Sequence, residues 1–120
     1  MLNLDTHILV AALAGELTAR EQALVTNETL AVSDIVLWEL AKLVQLRRLE
    51  LDMDSVAFRR SLRHLTIIPI SMQIARQSTE LDFSSDPADE LIAATSVVER
   101  IPLLTRDGKI LKSRVVPLAQ

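Results

Sequence analysis

Short apolar runs alternate with longer, helix-patterned segments along the whole chain. Four runs have the length and composition of buried strands: Leu2–Leu4, Leu30–Val32, Thr66–Ile70 and Leu103–Thr105. A fifth run, Val115–Leu118, is predicted to form a last strand. Because short strands that alternate with helices form parallel sheets covered on both faces, we expect an α/β fold. Its predicted form is a single domain over residues 1–120, a three-layer α/β/α sandwich with a short, mainly parallel central sheet.

The intervening segments predict helices, several of them with recognisable starts. They are Thr6–Leu13, Thr18–Asn27, a helix from Ser33 or Asp34 to about Arg48, Asp54–His64, a helix from Ser71 to about Leu81, and a helix from Asp86-Pro87 to about Arg100. Thr18 with Glu21 three residues later is a capping-box pattern. Asp107-Gly108 is predicted to be a turn.

Two acids follow predicted strands directly. Asp5 comes after the first strand, and Asp107 lies just past the strand at 103–105. Ligands of parallel α/β sheets bind beyond the carboxyl ends of the strands, so both carboxylates are predicted at the functional edge. Each also has a structural explanation, since Asp is a favoured N-cap and Asp-Gly a common turn pair.

Two further acids lie on predicted helices. Glu39 belongs to Ile35–Val44, a helix so apolar that it is predicted to be largely buried. Its polar stripe could be solvated, with a Glu39–Lys42 pair, or could face a cleft. Asp89 could complete a box-like helix start with Asp86, where the helix dipole favours negative charge. A helix N-terminus in that place would also suit a bound phosphate.

Composition restricts the possible chemistry. Cysteine is absent, which excludes disulfides, thiolate zinc sites and cysteine nucleophiles. One Trp and two Phe are too few for a base-stacking platform. The net charge of −3 does not indicate a nucleic-acid binder, although it becomes +1 if four acids are offset by metal. Because no signal peptide or membrane-length apolar run is found, we expect a soluble cytoplasmic protein.

Four segments, taken in order, resemble PIN-domain proteins, especially the VapC-type subgroup that begins with an Asp-Thr-His signature. They are Leu-Asp-Thr-His (4–7), Ser-Asp-Ile-Val-Leu-Trp-Glu-Leu-Ala-Lys (33–42), Asp-Pro-Ala-Asp-Glu-Leu-Ile-Ala-Ala-Thr (86–95) and Leu-Leu-Thr-Arg-Asp (103–107). The resemblance covers nearly the whole chain. It implies a catalytic, metal-binding acidic cluster whose members are Asp5, Glu39, Asp89 and Asp107. It also implies that Thr6 and Thr105 line the site.

The same resemblance implies an endoribonuclease that depends on Mg²⁺ or Mn²⁺ and is the toxin of a VapBC-type toxin–antitoxin pair. RNA would be its substrate, an antitoxin would occlude the cleft, and the toxin would be a homodimer. A set of carboxylates without His or Cys favours these ions over zinc. We assign Asp5 and Asp89 as primary ligands, with Glu39 and Asp107 completing the site. His7 is expected to pack or hydrogen-bond.

The chain departs from the family pattern at two places. Glu90 stands where members often carry a basic residue, and Ser84-Ser85 where they often carry His-Arg. Both departures bear on RNA binding and leave the acids intact. Basic residues cluster instead at Arg47-Arg48 and in the segment 59–63, where we expect mostly solvated helix faces.

Three other functions remain open. A catalytically weak PIN-like binding or regulatory module would hold its partner without metal. A structure-specific DNA nuclease would differ in its substrate preference. A phosphoacceptor receiver domain would need a functional lysine near the last strands, where Lys109 and Lys112 are poorly placed after Asp107.

Overall fold

Four of the predicted apolar runs form strands of one sheet in the computed structural model, which describes residues 1–120. The strands are β1 (Leu2–Leu4), β2 (Leu30–Ser33), β3 (Leu65–Ile68) and β4 (Leu103–Leu104). The helices are α1 (Thr6–Ala14), α2 (Ala19–Thr26), α3 (Ile35–Gln45), α4 (Val56–Arg63), α5 (Met72–Gln77), α6 (Pro87–Glu99) and α7 (Gly108–Leu111). The sheet order is β3-β2-β1-β4, and every pair is parallel. All four strands therefore present their carboxyl ends at one edge.

Helices cover both faces of the sheet, as the alternation of side chains along β1 shows. The Asn3 side chain reaches α6, whereas Leu4 shares a surface cavity with Leu9 of α1 and Ser61 of α4. Successive side chains of a strand point to opposite faces, so these helices lie on opposite sides. The predicted three-layer α/β/α sandwich is thus confirmed, with a sheet that is entirely parallel.

A buried amide ties α6 to the central strand. Asn3 is fully buried, and its Nδ2 donates to the Ile92 carbonyl at 3.1 Å and to Ser96 Oγ at 2.9 Å. Around this contact the core is aliphatic, with Ile92, Leu103 and Leu104 all buried. The polar contact therefore fixes α6 against β1 within an otherwise apolar core.

Local start and stop signals explain several helix ends. The Thr18–Glu21 capping box is confirmed, because the Thr18 amide donates to Glu21 Oε1 at 2.9 Å and the Glu21 amide to Thr18 Oγ1 at 3.1 Å. Ser71 caps α5 as predicted, accepting from the Ile74 amide. Gly15 ends α1 with a φ of 71°, a left-handed conformation that glycine adopts without strain.

Two predictions near the end of the chain are wrong. Val115–Leu118 does not form a strand, and only an isolated bridge joins Leu118 to Leu103. Pro117 has no amide hydrogen to donate to a ladder, which explains the failure. Asp107-Gly108 is not a simple turn, because Asp107 caps α7 and accepts from the Lys109 and Ile110 amides.

The prediction that α3 is largely buried and runs to about Arg48 is also wrong. The helix ends at Gln45, two residues before Arg47, which has a positive φ of 58°. Only Val36 and Leu40 of α3 are buried, and Trp38 is exposed with the Lys42 ammonium over its ring. The apolar excess of this helix therefore lies partly on the protein surface. No helix combines the length and apolar character needed to cross a bilayer.

An ion pair joins α2 to the segment that follows β4. Arg106 Nε donates to Glu21 Oε2 at 2.8 Å, and its Nη2 donates to Glu21 Oε1 at 2.7 Å. The pKa of Glu21 falls to about 2, chiefly because of the hydrogen bonds from Arg106 and against the effect of its burial. A bidentate pair of this kind stabilises the ionised carboxylate and gives its position geometric specificity.

We expect Glu21→Gln to lower the free energy of unfolding at neutral pH, by an amount that disappears in acid. The folded-state pKa of Glu21 is about 2, below its ordinary value of 4.5, so the ionised form is stabilised by folding. That contribution is complete above about pH 4.5 and is lost as the pH falls towards 2. Urea unfolding of both proteins across this range measures it. A difference that does not depend on pH would assign the effect to packing instead.

Candidate active site

Asp5 is the most buried acid of the site. It follows β1 at the carboxyl edge of the sheet, and 1% of its surface is exposed. Its Oδ1 accepts from the Thr6 amide at 2.8 Å, and its Oδ2 accepts from the Thr105 hydroxyl at 2.6 Å. The N-cap and the site interpretations of Asp5 are compatible, because the cap fixes the carboxylate at the edge where ligands bind.

Thr105 links Asp5 to Asp107. Its hydroxyl donates to Asp5 and accepts from the Asp107 amide at 3.0 Å. Asp107 uses Oδ1 to cap α7, which leaves Oδ2 without a hydrogen bond to the protein. The segment after β4 therefore brings a hydroxyl and a half-buried carboxylate to the edge where β1 ends.

Glu39 reaches the same edge from the second turn of α3. Thr6 Oγ1 donates to Glu39 Oε1 at 2.5 Å, so the Thr6 amide binds one acid and its hydroxyl another. The Glu39–Lys42 pair considered from the sequence is not formed, because Lys42 donates to Gln45 instead. Glu39 is thus half-buried beside Thr6 and Asp5, and its role in a cleft stays a prediction.

Asp89 joins the group from the first turn of α6. Ser85 Oγ donates to Asp89 Oδ2 at 3.0 Å, and the Ser85 amide donates to Glu90 Oε2 at 3.3 Å. The box-like start considered for Asp86 and Asp89 is not formed, since Asp86 makes no side-chain capping bond. Both acids of the first turn therefore hold the preceding loop through Ser85.

Hydrogen bonds connect three of the acids, since Thr6 binds Asp5 and Glu39 and Thr105 joins Asp5 to Asp107, and charge interactions connect Asp89 to them. Burial raises the pKa of Asp89, opposed by its hydrogen bond with Ser85, and the charges of Asp5 and Asp107 raise it further. Burial likewise raises the pKa of Glu39, opposed by the Thr6 hydroxyl, and Asp89 and Asp5 add to the rise. Like charges in a partly buried site disfavour ionisation, so a cation placed among them would be attracted.

The donor chemistry of this group suits a hard divalent cation. Carboxylate and hydroxyl oxygens are the ligands of Mg²⁺ and Mn²⁺. However, no three Asp, Glu, His or Cys side chains are arranged to hold an ion in the conformation described. Oxygens of Asp5, Glu39, Asp89 and Asp107 are engaged in hydrogen bonds instead. The residues fit the ion chemically without forming a ready coordination shell.

Three further residues adjoin the acids of the site in the chain. His7, expected to pack or hydrogen-bond, is exposed on α1. Ser85, noted from the sequence only as a departure from the family pattern, holds Asp89. Arg106 was given no role from sequence, although its place between Thr105 and Asp107 marks it as a neighbour of the site. The clustered arginines are exposed, as expected: Arg47, Arg48, Arg59, Arg60 and Arg63.

Comparison with known proteins decides the family. The sequence matches the PIN domain family over residues 3–114, which is nearly the whole chain. The chain is a PIN-domain protein. This PIN domain is also 31% identical over 99 residues to Ribonuclease VapC22 of Mycobacterium tuberculosis (strain ATCC 25618 / H37Rv), covering 80% of this chain and 76% of that protein. The resemblance to VapC-type PIN proteins is thereby confirmed, and the receiver-domain alternative is set aside.

Solved structures agree on the fold of this PIN domain. A crystal structure of VapBC2 from Rickettsia felis, bound to a DNA fragment from their promoter, has a TM-score of 0.74 at 24% identity, with 99% of this chain and 98% of that chain covered. A crystal structure of FitAcB from Neisseria gonorrhoeae has a TM-score of 0.73 at 19% identity, with 100% and 97% covered. At these identities the likeness extends to the fold and no further.

Proposed function

We propose that this PIN-domain protein is a metal-dependent endoribonuclease that hydrolyses RNA phosphodiester bonds at the four-carboxylate site, and that it is the toxin of a VapBC-type pair. The proposal is carried by the hydrogen bonds that connect Asp5 to Glu39 through Thr6 and to Asp107 through Thr105 at the carboxyl edge of the sheet, with Asp89 under the charge of Asp5 and Asp107. The relative named as a ribonuclease supports the reaction class.

In this proposal the acids act as oxygen donors and the threonines hold them in place. A bound Mg²⁺ or Mn²⁺ would supply a nucleophilic water at neutral pH and would stabilise charge on the phosphate. Asp5 and Asp89 are the primary ligands, and Glu39 and Asp107 complete the set. Thr6 and Thr105 orient these carboxylates through the hydrogen bonds already described. The free Oδ2 of Asp107 supports its assignment as a donor.

A cognate antitoxin is the proposed protein partner. One similar structure is described as a toxin–antitoxin complex from Klebsiella pneumoniae, with a TM-score of 0.69 at 24% identity, which supports the kind of partner. A homodimer is also proposed, and the exposed apolar side chains of Trp38 and Leu46 at α3 support it. A cytoplasmic location stays a prediction.

The test is cleavage of a mixed structured RNA pool by purified protein, with and without Mg²⁺ or Mn²⁺. We expect cleavage only with metal, and we expect Asp89→Asn to abolish it. Asp86→Asn is the matched control: Asp86 is the N-cap residue of the same helix, its side chain makes no capping bond, and Asn is an equally good N-cap.

The outcomes separate the remaining alternatives. Equal activity of wild type and Asp89→Asn, with both folded, would contradict the nuclease assignment to this site. Binding of a partner without metal and without turnover would favour the regulatory module. Cleavage of branched or flapped DNA in preference to RNA would identify a structure-specific DNA nuclease.

A further inference from the structure

Arg106 lies in the chain between two residues of the site, yet its guanidinium turns away from the acids. Both the Nε and the Nη2 groups donate to the Glu21 carboxylate, at 2.8 and 2.7 Å. Nη2 also approaches the Glu16 carbonyl at 3.4 Å. The planar fork of an arginine matches a carboxylate in this bidentate way, which fixes orientation as well as distance. The Arg106 guanidinium is therefore bound to α2 through Glu21.

The acceptor of this fork is itself held in place. Only 7% of the Glu21 side chain is exposed, and its Oε1 also accepts from the Thr18 amide in the capping box. The next turn of α2 packs on the core through Leu24 and Val25. The Glu21 carboxylate is thus held in place at the start of α2 by burial and by the capping box.

The two residues that flank Arg106 in the chain, Thr105 and Asp107, are held at the site by hydrogen bonds. Strand β4 ends at Leu104, so the residues after it lie beyond the end of the sheet. Thr105 Oγ1 donates a hydrogen bond to Asp5, and the Asp107 amide donates one to Thr105 Oγ1. The hydrogen bond from the Asp107 amide to Thr105 Oγ1 spans Arg106, so a shift of the backbone at Arg106 would disturb it.

We propose that the Glu21–Arg106 pair is a positioning device that fixes the Thr105–Asp107 segment so that its hydroxyl and carboxylate meet Asp5 at the edge of the sheet. The catalytic part of this inference rests on the proposed nuclease function. Arg106 is a positioning residue and does not contact substrate phosphate, although it is the basic residue nearest in sequence to Asp107. The Arg106 guanidinium is kept from a substrate phosphate because it is already bound to the buried Glu21 carboxylate on α2.

The first test is native-state hydrogen exchange, which does not depend on nuclease activity. We compare wild type with Glu21→Gln and Arg106→Lys, following the amides of Asp107, Lys109 and Ile110. Gln retains an acceptor for the Thr18 amide, and Lys retains the charge while losing the fork. The matched control is Glu28→Gln, which removes the exposed pair between Glu28 and the amino terminus.

We expect exchange of these three amides to become about tenfold faster in both variants. A fully buried pair would give a larger change, but the Arg106 side chain is 45% exposed and solvent reduces the effect. The Asn3 amide, which binds the Pro102 carbonyl, should change less, and Glu28→Gln should leave all four amides as in wild type. A uniform rise across the protein, or no rise, would overturn the proposal.

The second test separates positioning from substrate contact. With a cleavable RNA, we expect Arg106→Lys to lower kcat about fivefold to tenfold with KM little changed, because the acids would be misplaced and RNA binding kept. A rise in KM with a weaker salt dependence of RNA binding would mean that Arg106 neutralises a phosphate, and would overturn the proposal. If wild type cleaves no RNA, the nuclease function fails, and the exchange result alone decides whether the pair positions the segment.

Discussion

RNA cleavage should be lost in Asp5→Asn while the protein stays folded. Asn has the shape of Asp and keeps one oxygen for the Thr6 amide, so the N-cap of α1 survives. The negative charge that would bind a cation is removed from a position that is 1% exposed. Changing residues that merely orient metal ligands costs about 10- to 100-fold, so loss of a ligand should cost at least about 100-fold.

The measurement is the initial rate of RNA cleavage over a range of Mg²⁺ or Mn²⁺ concentrations, with thermal unfolding recorded for each protein. Asp52→Asn is a suitable control, since Asp52 is exposed in the loop before α4 and its side chain accepts from the Asp54 amide. Cleavage by Asp5→Asn within a few-fold of wild type would remove Asp5 from the ligand set. Loss of cleavage together with unfolding would say nothing of metal binding, and the melting curves distinguish that case.

Ile92→Ala should be the most destabilising of the single changes considered. Ile92 is fully buried and belongs to the main hydrophobic core of the protein. Truncation of a buried isoleucine to alanine leaves a cavity and costs about 2–5 kcal/mol. Urea unfolding measures the loss, with Leu111→Ala as the control: Leu111 is 50% exposed, so its truncation should stay within about 0.5 kcal/mol.

The Ile92→Ala change also tests which contacts hold α6, the helix that carries Asp89, against the sheet. Ile92 lies three residues after Asp89, nearly one helical turn, and its carbonyl accepts from Asn3. A loss of stability below about 1 kcal/mol would mean that the core collapses around the smaller side chain and that α6 is held mainly by other contacts.

Local rules predicted the parts of this fold that depend on neighbouring residues. The Thr18–Glu21 capping box follows from residues three apart, and the position of Asp5 follows from an apolar strand that ends at an acid. The strand at 115–118 was wrong because local β-rich content does not reveal which strand it could pair with, and Pro117 limits that pairing.

Contacts between distant segments could not be predicted in the same way. Glu21 and Arg106 are 85 positions apart, and no periodicity relates them. Glu39 binds Thr6 rather than Lys42 because tertiary packing places α1 beside α3, which overrides the helical spacing. The assignment of the four acids from sequence depended on family resemblance, since each of them also had an adequate local explanation.

The side-chain amide of Asn3 fixes the position of α6 along the sheet. A shift of α6 by one helical turn, about 5.4 Å, would take both acceptors away from the Asn3 Nδ2 group. That group is fully buried, so its loss of partners has no remedy from solvent. A larger apolar residue at this position would fill the core but would lose the hydrogen bonds to α6. Efforts to make the protein more stable by filling its interior would thus work against the accuracy with which Asp89 is presented.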